Sequence, residues 1–148
     1  MTAVKKTAKN PEPPKAESPL VLVVDDFPDN RDMYMQYLEF SGLRVAEAQN
    51  GHEALQQAFS LLPDLIVMDL SLPGLDGWEA TRRLKKDPRT KNVPVVAVTG
   101  HAFAGADEKA MDAGCDGYIT KPCLPADLVG EIRRVLAGGG KRKGGKKN

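Results

Sequence analysis

Four short apolar runs in this 148-residue chain end on side chains that packing has no use for. Leu20-Val21-Leu22-Val23-Val24 runs into the paired acids Asp25-Asp26, and Leu65-Ile66-Val67-Met68 into Asp69. Pro94-Val95-Val96-Ala97-Val98 ends on Thr99-Gly100-His101, and Gly117-Tyr118-Ile119-Thr120 on Lys121-Pro122. An acid after a strand often just caps a turn. Two adjacent acids at the end of a buried run are harder to explain, because a packed core gains nothing from them. Brought together, three carboxylates would repel one another by about 4 kcal/mol per pair at 4 Å and an effective dielectric near 20. A cation among them and a lysine alongside would relieve that strain. Hard oxygen ligands, few of them from the protein, point to Mg²⁺, which keeps waters that a phosphate-bearing ligand can replace. A metal, an ammonium and a hydroxyl facing one carboxylate make a place for phosphoryl chemistry.

The elements that must position these residues alternate. Each apolar run is too short for a helix and lacks a polar alternation, as expected of a strand buried on both faces of a parallel sheet. Between the strands lie helical patterns. Pro28-Asp29-Asn30 opens a helix over about 29–41, with Met33, Tyr34, Tyr37, Leu38 and Ser41 predicted along its inner face and Gly42 ending it. Leu43–Ala48 reads as a short strand. Asn50 with Glu53 resembles an N-cap and its third-position acid, opening a helix over 51–61 that Pro63 stops. Trp78, Thr81, Leu84 and Lys85 follow helical spacing to about Lys86, a small helix is predicted over 106–113, and Pro125–Leu136 forms the last, burying Leu128, Ile132, Val135 and Leu136. Five strands and five helices with short, right-handed connections give a three-layer α/β/α sandwich around a five-stranded parallel sheet. All C-terminal strand ends then lie on one edge, where open α/β sheets hold their ligands.

Composition divides the chain. Residues 1–19 carry a charge of +2 and four prolines, residues 138–148 carry +5 among glycines, and the acidic middle, 20–137, carries −6. The expectation is one domain over 20–137 with two unstructured basic tails. The C-terminal lysines would have some affinity for nucleic acid or an anionic membrane, although glycine dilution and the lack of aromatics argue for a solvated tail. Cys115 and Cys123 have no companions at metal-ligand spacing and read as reduced thiols. No secretory signal or run of about 20 apolar residues is present, so the expected location is cytoplasmic.

Taken together, Val24-Asp25-Asp26, Met68-Asp69-Leu70-Ser71-Leu72-Pro73 with Asp76-Gly77, Val98-Thr99-Gly100 and Tyr118-Ile119-Thr120-Lys121-Pro122 resemble a receiver domain of two-component response regulators, of the single-domain chemotaxis type. The resemblance implies a flavodoxin-like sheet of order 2-1-3-4-5. It implies that Asp69 is the phospho-acceptor, and that Asp26, Asp69 and the main-chain carbonyl of Ser71 bind Mg²⁺, with Asp25 acting through water. Lys121 and Thr99 would contact phosphoryl oxygens, and Tyr118 would turn inward as Thr99 moves. The helix at 106–113, the fifth strand and the last helix would form the readout face. The implied partners are a histidine kinase or phosphotransfer protein and a downstream protein, with the chain a monomer or a phosphorylation-dependent dimer. The chain is read as a signalling module rather than an enzyme, with a phosphate shuttle or sink as a variant of that reading. The rival, a phosphohydrolase of haloacid-dehalogenase type, wants its acids at alternate positions, whereas Asp25 and Asp26 are adjacent.

Overall fold

β-Branched and aliphatic residues dominate five segments, and each becomes a strand. These are β1 (Leu20–Val24), β2 (Arg44–Ala48), β3 (Leu65–Asp69), β4 (Val95–Thr99) and β5 (Gly117–Thr120). The computed structural model describes residues 17–70, 77–100, 111–121 and 123–139. The strands form one parallel sheet of order β2-β1-β3-β4-β5. The described helices are α1 (Pro28–Phe40), α2 (Gly51–Leu61), α3 (Gly77–Lys86) and α4 (Pro125–Arg134). The helix expected over 106–113 falls mostly outside the described residues, although Met111 and Asp112 are helical.

Period-two alternation along the strands sorts the core into two layers. Val21, Val23, Leu65, Val67, Val96 and Val98 pack with Tyr34 and Leu38 of α1 and Leu128 and Ile132 of α4. Leu22, Val24, Ile66, Met68 and Ala97 pack on the other side with Ala54 and Ala58 of α2 and Ala80 and Leu84 of α3. With both faces covered, β3 and β4 are buried at every residue, which is why those runs show no polar alternation in the sequence.

Local chemistry sets the ends of the helices. The Asn50 side chain accepts the Glu53 N–H at 2.8 Å, and Glu53 in return accepts the Gln49 N–H at 2.9 Å. The box thus closes one residue further out than the usual capping pair. Leu62 ends α2 with a left-handed φ of 48°, and Pro63 follows. Just before β1, the carbonyls of Ser18 and Pro19 accept hydrogen bonds from Arg44, at 2.8 and 2.9 Å.

One part of the predicted pattern needs correcting. On α1 only Tyr34 and Leu38 are buried, while Met33 is 43% and Tyr37 36% exposed. The residues at i and i+4 aim at the sheet, and those one position earlier roll out to solvent. Ser41 is half-buried as the C-cap. In the last helix Leu128, Ile132 and Val135 are buried as expected, and Leu136 is half-buried.

Candidate functional site

Register and parity assemble the acidic site. Val24 lies level with Met68, so Asp25 comes level with Asp69 on the neighbouring strand. Parallel strands sit about 4.8 Å apart, which brings the two carboxylates side by side. Asp25 continues the 21, 23 row and Asp69 the 65, 67 row, both on the α1/α4 face. Ile119 belongs to that face too, and Lys121, two residues on, joins it. Thr99 has the opposite parity. It shares a face with Ala97 and with Tyr118, whose side chain packs on the α2/α3 layer. The same alternation thus places Asp25, Asp69 and Lys121 on one side and Thr99 and Tyr118 on the other.

The Lys121 ammonium lies 3.5 Å from Asp25 Oδ2 and 3.5 Å from Asp69 Oδ2. Carboxylate oxygens of Asp25, Asp26 and Asp69 all lie within 4.8 Å of one another. Asp25 is 2% and Asp69 4% exposed, whereas Asp26 is exposed on the rim. Thr99 is buried at the end of β4, and its carbonyl accepts the Lys121 N–H at 2.7 Å. Asp25 is tightly held: its Oδ1 accepts the Phe27 N–H at 2.9 Å, and its carbonyl accepts the Arg31 guanidinium at 2.7 Å. Burial nevertheless pushes its carboxyl above the usual carboxylate range, and the Asp69 charge adds to that, outweighing the Phe27 hydrogen bond and Lys121. A buried acid that resists ionising beside two others, in an all-oxygen donor set, fits a hard divalent cation.

Gly77 bears directly on Asp69. A Cβ at Gly77 would collide with the Asp69 carbonyl oxygen and the Leu70 Cα, so only glycine lets the start of α3 approach the end of β3 this closely. At Gly100 a Cβ would meet no described atom within 4 Å. A concavity of about 420 Å³ lies beside Gly100 and Lys121, lined also by Asn30, Met33, Tyr34 and Cys123.

Ser71, expected to offer a carbonyl to the metal, and His101, placed at the end of the fourth strand, lie outside the described residues. His52 is exposed, as a first-turn residue should be. Sequence reasoning missed two links. Arg31 ties α1 to the Asp25 carbonyl, and its guanidinium also pairs with Glu47 at 2.7 Å. Tyr34 Oη lies 3.8 Å from Cys123 Sγ, joining α1 to the segment after Lys121. The one available signal for the second was that Cys123 stands two residues past a site lysine.

A sheet of order 2-1-3-4-5 with an acid cluster at its carboxyl edge, a lysine across from it and a hydroxyl one strand over defines a receiver-type α/β domain. The chain belongs to the response regulator receiver family: the pattern described as "Response regulator receiver domain" matches residues 21–133. Among curated proteins it is 40% identical over 116 residues to the polar-differentiation response regulator DivK of Brucella anthropi, covering 78% of this chain and 94% of that protein. A putative response regulator from Chloroflexus aurantiacus superposes with a TM-score of 0.78 at 34% identity, over 82% of this chain and 99% of that one. The receiver domain of the sensor histidine kinase PA1611 from Pseudomonas aeruginosa superposes with a TM-score of 0.75 at 32% identity, over 81% and 98% of the two chains. That neighbour carries a magnesium ion coordinated in its active-site cleft. The chain is thus a receiver of the two-component signalling type.

Proposed function

We propose that Asp69 accepts a phosphoryl group from a phosphohistidine on a partner kinase or phosphotransfer protein. The observation that carries this reading is the Lys121 ammonium held 3.5 Å from both Asp69 and Asp25 at the mouth of an acid cluster. An Asp69 carboxylate oxygen attacks phosphorus as the P–N bond to the partner's imidazole breaks, and the imidazole leaves with a proton. The product is an acyl phosphate on Asp69. Lys121 neutralises charge on a phosphoryl oxygen, and the Thr99 hydroxyl donates to another. Asp25, Asp26 and Asp69, with the Ser71 carbonyl, would hold Mg²⁺, which when bound supplies charge neutralisation at phosphorus. Water later attacks phosphorus and breaks the acyl phosphate. The chain's own chemistry ends there, which makes it a signalling module without a turnover substrate.

The signal passes through Thr99. Drawing its hydroxyl toward the phosphoryl group vacates space on the α2/α3 face that it shares with Tyr118. Inward rotation of Tyr118 then shifts the population toward an active form and alters the face made by β5 and α4 for a downstream protein. Met33, which lines the concavity beside Lys121, and Phe40 further along α1 are exposed and would give a partner protein an apolar foothold. Among the described residues no helix is long and apolar enough to cross a membrane, and we place the protein in the cytoplasm, where the histidine donors of such relays operate.

The test is incubation with Mg²⁺ and a small acyl phosphate, followed by intact mass. One added phosphoryl group is expected, absent in Asp69→Asn and absent without metal. An unmodified wild-type mass, or sustained turnover of phosphate esters, would overturn the reading.

A further inference from the structure

We propose that Tyr34 is a positioning residue for Lys121, acting through its contact with Cys123. Lys121 sits 3.5 Å from each of two carboxylates, well beyond the 2.7–2.9 Å of a tight charge-assisted pair. Neither acid alone therefore dictates where the ammonium rests, and the anchoring of its chain must. One anchor is the Lys121 N–H on the Thr99 carbonyl at 2.7 Å. The other is two residues on, where Cys123 Sγ meets Tyr34 Oη at 3.8 Å.

Tyr34 is suited to hold that end. It is 4% exposed and packed in the α1/α4 layer with Leu38 and Ile132, which restricts its ring. Burial, Cys123 and the negative field of Asp25 and Asp69 all push its phenol upward, so the hydroxyl stays neutral and able to donate. The helix that carries it is fixed one turn earlier, where Arg31 binds the Asp25 carbonyl at 2.7 Å. With Arg31 at one position and Tyr34 three further, α1 sets the distance between the acids on β1 and the lysine after β5. A phenylalanine at 34 would fill the same space and lose only the contact with Cys123.

The kinetic half of this inference rests on the reading of Asp69 above, and the binding half does not. Releasing Cys123 lets the ammonium drift from the carboxylates, removing a cation that repels the metal. Tyr34→Phe should therefore bind Mg²⁺ about two- to fivefold more tightly by calorimetric titration, and take up phosphoryl from a small acyl phosphate about three- to tenfold more slowly at saturating Mg²⁺. In a Lys121→Met background the same substitution should change neither quantity, which a merely structural role would not predict. Cys123→Ala removes the other partner and should shift both in the same directions, so it decides the matter if Tyr34→Phe folds poorly. Wild-type affinity and rate in both variants would overturn the inference, as would an undiminished effect when Lys121 is already Met. If wild type binds Mg²⁺ but takes no phosphoryl group, the proposed function falls while the titration still judges Tyr34. If wild type binds no Mg²⁺, both fall.

Discussion

Asp25 is the residue whose situation is least comfortable. It is buried, ionises against desolvation and the Asp69 charge, and is offset only in part by Lys121 and the Phe27 N–H. A carboxyl raised in the fold weakens stability once the pH climbs above its unfolded value. Asp25→Asn should therefore raise the thermal midpoint of the metal-free protein at neutral pH. That gain should shrink as the pH falls through the raised value, where wild type becomes protonated too. By the same sign, protons would compete early for the proposed metal-holding carboxylate, so Mg²⁺ affinity of the wild type should begin to fall above the ordinary carboxylate range on acidification. Thermal melts and Mg²⁺ titrations across pH check both halves; a lower metal-free midpoint for Asp25→Asn would contradict this account of the site.

Among the elements, the start of α3 matters most to the site. Gly77 lets its first turn lie against the Asp69 carbonyl, and Ala80, Thr81 and Leu84 then bury its inner face. Gly77→Ala forces the helix away from the end of β3, an overpacking cost of about 1–3 kcal/mol. It should displace the Asp69 backbone as well, so phosphoryl uptake should fall along with the denaturation midpoint. At the opposite edge of the sheet, Lys85 of α3 binds Asp116 and the Val93 carbonyl, each at 2.8 Å, and Asp116 also accepts the Val95 N–H at 2.9 Å. That pair pins α3 to the starts of β4 and β5. On the outer edge of β5, Glu131 accepts the Tyr118 N–H at 3.4 Å and pairs with Arg134 at 2.8 Å, so α4 and the proposed switch strand are linked by a side chain.

For the molecule as a whole, a metal held by the acid cluster would couple its binding to folding. A ligand that binds only the native state stabilises it by about 2.7 kcal/mol at one hundred times its dissociation constant. Mg²⁺ at that excess should raise the denaturant midpoint of the wild type by a corresponding amount, and do so much less for Asp69→Asn, as chemical denaturation with and without the metal would measure. The two basic ends expected to flank the acidic domain, within residues 1–19 and 138–148, lie mostly outside the described residues.

Continuous apolar runs too short for a helix, together with Gly and Pro near their ends, were enough to read five strands, their parallel sheet and the edge that carries Asp25, Asp69, Thr99 and Lys121. A strand buried on both sides tolerates a polar residue only at its end, so chemistry shows there in one dimension. What the tertiary structure decided was the rotation of each helix about its axis. Met33 and Tyr37 share apolar character with Tyr34 and Leu38, and only packing sent the first two to solvent. Contacts between elements far apart in the chain, Tyr34 with Cys123 and Lys85 with Asp116, leave no periodic trace. They depend on where two separately positioned surfaces happen to meet, and that distance exists only once the chain has folded.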